Sequence, residues 1–427
     1  MAPPRSRITA ARKLVLSLAA SAALACPVSF VQGRAVPQTV KLAWIDPLSG
    51  RMALVGQNQV RSWQYVADFA NRHAWAADVR FEVVAFDSKL NPADALVALR
   101  QAVDQGIRYI VQGNGSGVAI ALAEAIQKHN ERNPGRELVY LNYAAVDPSL
   151  TNQACSFWHF RLDINADMKM EALTAYLARD PAVRKVYLIN QDYAFGRSVE
   201  RAAEEYLRRK RADVQVVGKE LHPLALVRDF APHVARIKAS GADTIITGDW
   251  GADLANLVTA ARDAGLQASF YTYYAGTTGV PTAMGASGAD RVKIVTNWIV
   301  NGPKAGGGEI VDGFKKKYGD DYYSAQPYVG LHLLSEAMRR TGSSDPVKVA
   351  FALEGMKLST INGEVEMRGT DHQLQQNVLI ASWVKVDGKR VRYDQEGTGY
   401  GWRLDQTLPA YVAAQPTSCQ MKRPARP

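Results

Sequence analysis

The sequence predicts an α/β protein made of two doubly wound parallel-sheet lobes. Three observations carry that prediction. From residue 38 onward, apolar runs of strand length alternate with longer segments of helical period. The strand-length runs are apolar throughout, as strands are when helices cover both faces of their sheet. The alternation also breaks and starts again: an offset of 135 places Gly106, Ile110, Val111 and Gly113 on Gly241, Ile245, Ile246 and Gly248. A chain of 427 residues has room for two such units, each with its own core.

In order, the first lobe reads as strand 40–45, helix 57–73, strand 81–86, a helix opening at Pro92, strand 109–112, helix 118–130 and strand 138–143. The first helix shows Val60, Trp63, Val66, Ala67 and Ala70 on one face, and Pro92 suits a first helical position. The second lobe reads as helix 167–178, strand 185–190, helix 196–210, strand 214–220, helix 229–238, strand 244–247, helix 253–264 and strand 269–274. Parallel neighbours joined through helices require right-handed crossovers. Residues 302–308 are a glycine-rich linker, followed by helices 309–318, 327–340 and 346–353 and strands 360–367 and 379–386, with a turn at Val386-Asp387-Gly388-Lys389. That last third has too little strand for a lobe of its own and is expected to complete the two already made.

Composition excludes several classes. Hydrophobic residues at 47% and charged residues at 22% are globular proportions, not those of a disordered chain. The formal charge of +10 suggests nucleic acid, but residues 1–35 hold Arg5, Arg7, Arg12, Lys13 and Arg34 and no acid, and without these five the balance is +5. Arg12 and Lys13 precede a small-apolar stretch over 14–25, the pattern of a secretory signal and too short to span a bilayer. A buried helix there would carry a polar face. Small residues end both Ala23-Leu24-Ala25 and Gly33-Arg34-Ala35, so two cleavage points are open. Cys26 raises lipid attachment, although Ala23 stands where a lipobox has leucine. Past the signal only Cys155 and Cys419 remain, a disulfide candidate in an oxidising compartment, with two separate buried thiols as the alternative. No later apolar run is long enough to anchor the body in a membrane.

An open parallel sheet binds ligands outside the carboxyl ends of its strands, so function is sought in the loops that follow them. After the third strand stands Gly113-Asn114-Gly115-Ser116-Gly117, with a helix directly behind. Glycines allow close approach, a helix N-terminus offers unpaired N–H groups, and Ser116 adds a hydroxyl: a carboxylate cradle, or in the plainer reading a tight strand-to-helix turn. Val118 breaks the dinucleotide pattern, no Lys-Ser or Lys-Thr completes a P-loop, and Asn114 breaks a nucleophile elbow around Ser116. The next loop, Ala144-Ala145-Val146-Asp147-Pro148, has small residues that can admit a ligand. Lobe two offers Gln191-Asp192-Tyr193-Ala194-Phe195-Gly196, Gly248-Asp249-Trp250-Gly251 and Tyr273-Tyr274-Ala275-Gly276, an apolar wall facing the cradle. The seven histidines show no pair at ligand spacing and cysteines are too few for a cluster, so no metal and no cofactor is expected. Asp147, Asp192, Asp249 and Asp253 are read first as capping or surface acids, which leaves no catalytic constellation. Lys315-Lys316-Lys317 lacks interleaved aromatics and reads as a solvated face, not a nucleic-acid surface.

These residues together resemble the periplasmic substrate-binding proteins of branched-chain amino-acid ABC transporters. The resemblance rests on Val40-Lys41-Leu42-Ala43 leading to Leu48-Ser49-Gly50, on Gly115-Ser116, on Gln191 to Gly196, and on Gly241-Ala242-Asp243, in order over residues 38–390. It implies a type I binding protein whose lobes are joined by a three-segment hinge with crossovers near 155–165, 295–302 and 360–385. Lobe one would span 36–160 and 300–365, and lobe two 161–299 and 366–427. It further implies ligand contacts from Ser49, Asn114, Gly115, Ser116, Ala144, Val146, Asp147, Tyr193, Phe195, Asp249, Trp250 and Tyr274. A monomer, periplasmic, partnered by membrane permease and ATPase subunits, would bind a small carboxylate without catalysis. Two departures matter: Tyr274 stands where amino-acid binders of the family usually place an acid for the ammonium, and Val146 replaces a hydroxyl residue. Either Asp147 or Asp249 then supplies the charge, or the ligand has no amine. A sensory domain of the same fold and an exported hydrolase are the alternatives.

Overall fold

The structure is a computed structural model that describes residues 38–302 and 308–427, together with Met1. The expected export segment over 1–35, with Cys26, and most of the glycine-rich linker lie outside the described residues.

The first sheet holds β1 (Gln38–Asp46), β2 (Val79–Asp87), β3 (Tyr109–Gln112), β4 (Val139–Asn142) and β5 (His159–Arg161), all parallel in the order β2-β1-β3-β4-β5. Its helices are α1 (Ala53–Arg72), α2 (Pro92–Asp104) and α3 (Ser116–Arg132). Local chemistry starts α2 where expected, since Asn91 accepts from the N–H of Ala93 at 2.8 Å just ahead of Pro92. β3 and β4 are buried along their whole length, as strands covered on both faces must be. β5 escaped the sequence reading because its ends are His159 and Arg161, polar residues that the fold buries completely.

The second lobe adds α4 (Ala166–Leu177), β6 (Lys185–Gln191), α5 (Ala194–Lys210), β7 (Gln215–His222), α6 (Ala231–Ala239), β8 (Thr244–Thr247), α7 (Gly251–Asp263), β9 (Ser269–Thr272), α8 (Val280–Met284) and β10 (Val292–Thr296). The chain then supplies α9 (Gly308–Tyr318), α10 (Gln326–Thr341) and α11 (Pro346–Leu353); α9 and α10 pack on α1. A small sheet of β11 (Lys357–Thr360), β12 (Gly363–Met367) and β13 (Leu374–Gln375) precedes β14 (Val378–Lys385), β15 (Tyr400–Leu408) and α12 (Ala410–Ala413). The last third thus divides between the two lobes. The second sheet runs β15-β14-β10-β9-β8-β6-β7, and it is not wholly parallel: β14 pairs antiparallel with β10 and with β15. The polar alternation of β15 hid it from a search for apolar runs.

Three connections join the lobes: from β5 to α4, from β10 toward α9, and from β13 to β14. Buried amides stitch these connections together. Gln373 donates to the carbonyl of Asp163 at 2.8 Å, Gln376 donates to that of Leu162 at 2.7 Å, and Asn297 donates to Gln376 at 3.0 Å. Arg161, fully buried, donates to Gln373 at 2.7 Å and to the carbonyl of Asp147 at 2.6 Å, and bonds Thr151 as well. Burial pulls its guanidinium down to about 10, still charged at neutral pH.

After Ala413 the chain runs back along the first lobe. Thr417 donates to the carbonyl of Thr151 at 2.6 Å, Lys422 pairs with Glu131 at 3.3 Å, and Cys419 is joined to Cys155 by a disulfide with Cα atoms 5.7 Å apart. The bond closes a loop of 264 residues. A constraint of that length stabilises chiefly by restricting the unfolded chain. The double variant C155S/C419S is therefore expected to lose about 2–4 kcal/mol in urea denaturation; stability equal to that of the wild type would show that the tail needs no covalent tie.

Candidate functional site

The site starts at the end of β1, where the carboxylate of Asp46 is completely buried. It accepts from the N–H of Gly113 at 2.9 Å, from that of Asn114 at 2.8 Å and from the Gln112 amide at 3.3 Å. The Tyr143 hydroxyl lies 2.6 Å from one Asp46 oxygen and 2.7 Å from the Gln59 amide oxygen. One acid therefore folds the loop between β3 and α3. Burial pushes the Asp46 carboxyl up to about 7, against the downward pull of Tyr143, Asn114, Gly113 and Gln112.

With Gly113 and Asn114 committed inward, the cradle consists of Gly115 and the first turn of α3. Gly115 sits at φ 85°, a conformation that favours glycine, and a Cβ there would meet Leu90 at 2.9 Å. It caps α3 without a side chain, so the opening N–H groups of the helix have no capping oxygen. Ser116 is buried, and its hydroxyl accepts from the N–H of Asp147 at 3.2 Å, which ties the cradle to the next loop.

The opposite wall comes from lobe two. Tyr193 and Phe195 meet edge to face at 6.0 Å, Phe195 and Tyr274 at 5.8 Å, and Trp250 donates to the Tyr193 hydroxyl at 3.0 Å. The lobes are closed on each other: Met52, Val55 and Val146 of lobe one pack in the same buried cluster as Phe195, Trp250 and Tyr273. Gly251, at φ 58°, allows this approach, since a Cβ there would lie 2.6 Å from the Met52 sulfur. Between the walls is a small cavity.

Asn114, Gly115, Ser116, Ala144, Val146, Tyr193, Phe195, Trp250 and Tyr274 all line it. Ser49, Asp147 and Asp249 do not. Ser49 is exposed and donates to Asp87 at 2.6 Å. Asp147 caps a short 3-10 turn, accepting from the N–H of Ser149 at 2.9 Å. Asp249 is buried against the imidazole of His222 at 2.8 Å; burial raises its carboxyl, while for His222 burial alone would lower the ring and the Asp249 partner raises it. Five lining residues were missed. Val55 and Gln59 belong to α1, which starts four residues earlier than its apolar period indicated; Gly113 and Ala145 are small residues in loops already singled out, and Thr277 directly follows another.

Tyr274 holds a particular position. Its hydroxyl lies 3.2 Å from the carbonyl oxygen of Ala144, across the cleft, and 3.2 Å from a carboxylate oxygen of Asp163. That same oxygen accepts from Lys169 at 3.2 Å, in an ion pair with both side chains almost wholly buried. Lys169 stands 4.4 Å from the centre of the Tyr274 ring.

Two doubly wound lobes closed on a cleft at their strand ends define a solute-binding protein of the type I class. The chain belongs to the periplasmic binding protein family, whose model matches residues 39–389. It is a substrate-binding protein of the ABC-transporter kind. It is 30% identical over 418 residues to the Leu/Ile/Val-binding protein homolog 4 of Brucella abortus, covering 94% of this chain and 98% of the relative. Among solved structures it is similar to the leucine-, isoleucine-, valine-, threonine- and alanine-binding protein of Brucella ovis in its closed conformation, with TM-score 0.78 and 29% identity over 91% of this chain and 100% of that one. The fold is shared by a solute-binding protein of Rhodopseudomonas palustris in complex with p-hydroxybenzoic acid, at TM-score 0.72 and 24% identity over 87% of this chain and 98% of that one. The family is periplasmic, and among the described residues no helix is long and apolar enough to cross a membrane.

Because Asp46 titrates at about 7 in the folded chain against 3.8 ordinarily, folding favours its protonated form. Its contribution to stability is full below about pH 4 and is lost as pH rises through about 7. Asp46→Asn cannot ionise, so the stability of wild type minus that of the variant should fall by a few kcal/mol, roughly, between those limits. Urea denaturation of both proteins from pH 4 to 8 measures it; a difference that is flat or rising contradicts the assignment.

Proposed function

We propose that this protein captures a small carboxylate with an apolar or aromatic body and no α-ammonium group, and delivers it in the periplasm to the permease and ATPase of an ABC transporter. The observation that carries the reading is the Tyr274 hydroxyl on the Ala144 carbonyl. By the family resemblance an amino-acid ligand would direct its ammonium at that carbonyl, with an acid in place of Tyr274. Here the Tyr274 hydroxyl already occupies the space before that carbonyl, 3.2 Å from it and 3.2 Å from Asp163. Among the described residues the acids nearest the cleft do not compensate: Asp147 is engaged by Ser149, Asp249 by His222, and Asp163 by Lys169. A buried ammonium without a counter-charge is costly, whereas a carboxylate meets Ser116 and the uncapped start of α3. Phe195, Trp250 and Tyr193 supply contact for the body. The Brucella relatives are named for amino acids and the Rhodopseudomonas structure holds an aromatic acid; the Tyr274 contact favours the second ligand class.

In this reading the chain is exported through its N-terminal segment and works as a monomer that binds without turnover. Lobe one comprises residues 36–160 and 300–365; lobe two comprises 161–299 and most of 366–427, with the disulfide-tied tail laid back on lobe one. The ligand shifts the population toward the closed form, because the cleft is complete only when the lobes meet.

Calorimetry with matched pairs tests the ligand class. 4-Methylpentanoate should bind more tightly than leucine, and phenylpropanoate more tightly than phenylalanine, with a saturating acid stabilising the fold by about 2.7 kcal/mol at one hundred times its Kd. Tyr274→Glu should reverse the order. Tight binding of leucine with no binding of the deaminated acid would overturn the proposal.

A further inference from the structure

Beside the cavity just described lies a second, larger one on the hinge side. The two share Gln59, Ala144, Tyr274 and Thr277 in their linings, so they meet at the Tyr274–Ala144 contact. The second chamber has aromatic walls, among them Trp298 and Trp402, and also carries polar groups whose bonding is incomplete. Lys169 has three N–H donors, and among the described residues only Asp163 accepts from its ammonium. Gln326, more than nine-tenths buried, donates to Asn297 at 3.2 Å while its amide oxygen has no partner. Buried polar atoms are normally satisfied, so a chamber with a spare cationic donor and a spare acceptor is shaped for a group that can both accept and donate.

We propose that this chamber is a second subsite, reached by the far end of the ligand, and that it selects acids bearing a distal hydroxyl group. A hydroxyl accepts from Lys169 and donates to Gln326. A second carboxylate fits less well, because Lys169 is already neutralised by Asp163 and the added anion would be buried without a counter-charge. An unsubstituted ring leaves both protein groups unpaired. Lys169, Gln326 and the aromatic walls thus set specificity within the carboxylate class, an inference that rests on the carboxylate reading of the first cavity.

Calorimetry on the purified protein with phenylpropanoate, phenylacetate and benzoate, each against its meta- and para-hydroxy derivatives, tests this. At least one hydroxylated acid should bind about tenfold or more tightly than its parent. The advantage should shrink to less than about threefold in the double variant K169M/D163N, which leaves no lone buried charge, and in Q326L, which carries the test by itself if the double variant does not fold. Parents binding as well as every derivative, or an advantage that survives both variants, overturns the second subsite and leaves the carboxylate reading intact. Failure of every acid to bind overturns the carboxylate reading, and the subsite with it.

Discussion

The site depends on one buried carboxylate. Asp46 ends β1, which lies between β2 and β3 in the first sheet, and takes hydrogen bonds from the two N–H groups that begin the loop after β3. Those bonds fix how the chain leaves β3 and therefore where α3 starts. Through Tyr143 the same acid reaches Gln59 on α1, so the floor and one side of the cleft are set by a single group. Its burial costs solvation, which is why its proton is held up to about 7, and the cost is tolerable only because four donors converge on it. Its role is to position the cradle; the ligand-facing donors are those left over.

A second buried polar set connects the cleft with the hinge. Asp163 stands on the connection from β5 to α4, pairs with Lys169 on α4, and lies 3.2 Å from the Tyr274 hydroxyl just past β9. The backbone on either side of it is held by Gln376 on the third connection and by Gln373 just before β13. Because Tyr274 and Ala144 stand on opposite sides of the cleft, opening the lobes must break their contact. Such a device couples closure to what occupies the cleft without any segment having to unfold.

The two-lobed α/β fold was readable because helix-covered parallel strands are apolar throughout, and period and length separate them from helices. Two of the strands that escaped are polar, β5 with His159 and Arg161 buried and β15, an edge strand of alternating character; β10 escaped as well, a short strand whose apolar Val292, Ile294 and Val295 are interrupted by Lys293. In the site, the glycine loop and the aromatic strand ends were legible because backbone approach and apolar contact need specific residue types at strand ends. The bonding of the acids was not. Asp147 and Asp249 stand beside the cleft in sequence yet turn to Ser149 and His222, and Asp46 gave no sign that it would organise the cradle. Such choices depend on partners scores of residues away, which no local pattern records. The disulfide was foreseeable as a pair because only two cysteines follow residue 35, while the tail's return along the first lobe was not.

The most direct measurement is a crystal structure of the protein with its tightest-binding acid. The ligand carboxylate should lie against Ser116 and the start of α3, with the Tyr274 hydroxyl still on the Ala144 carbonyl and Asp46 still holding Gly113 and Asn114. A ligand ammonium on that carbonyl, with Tyr274 displaced, would contradict the account.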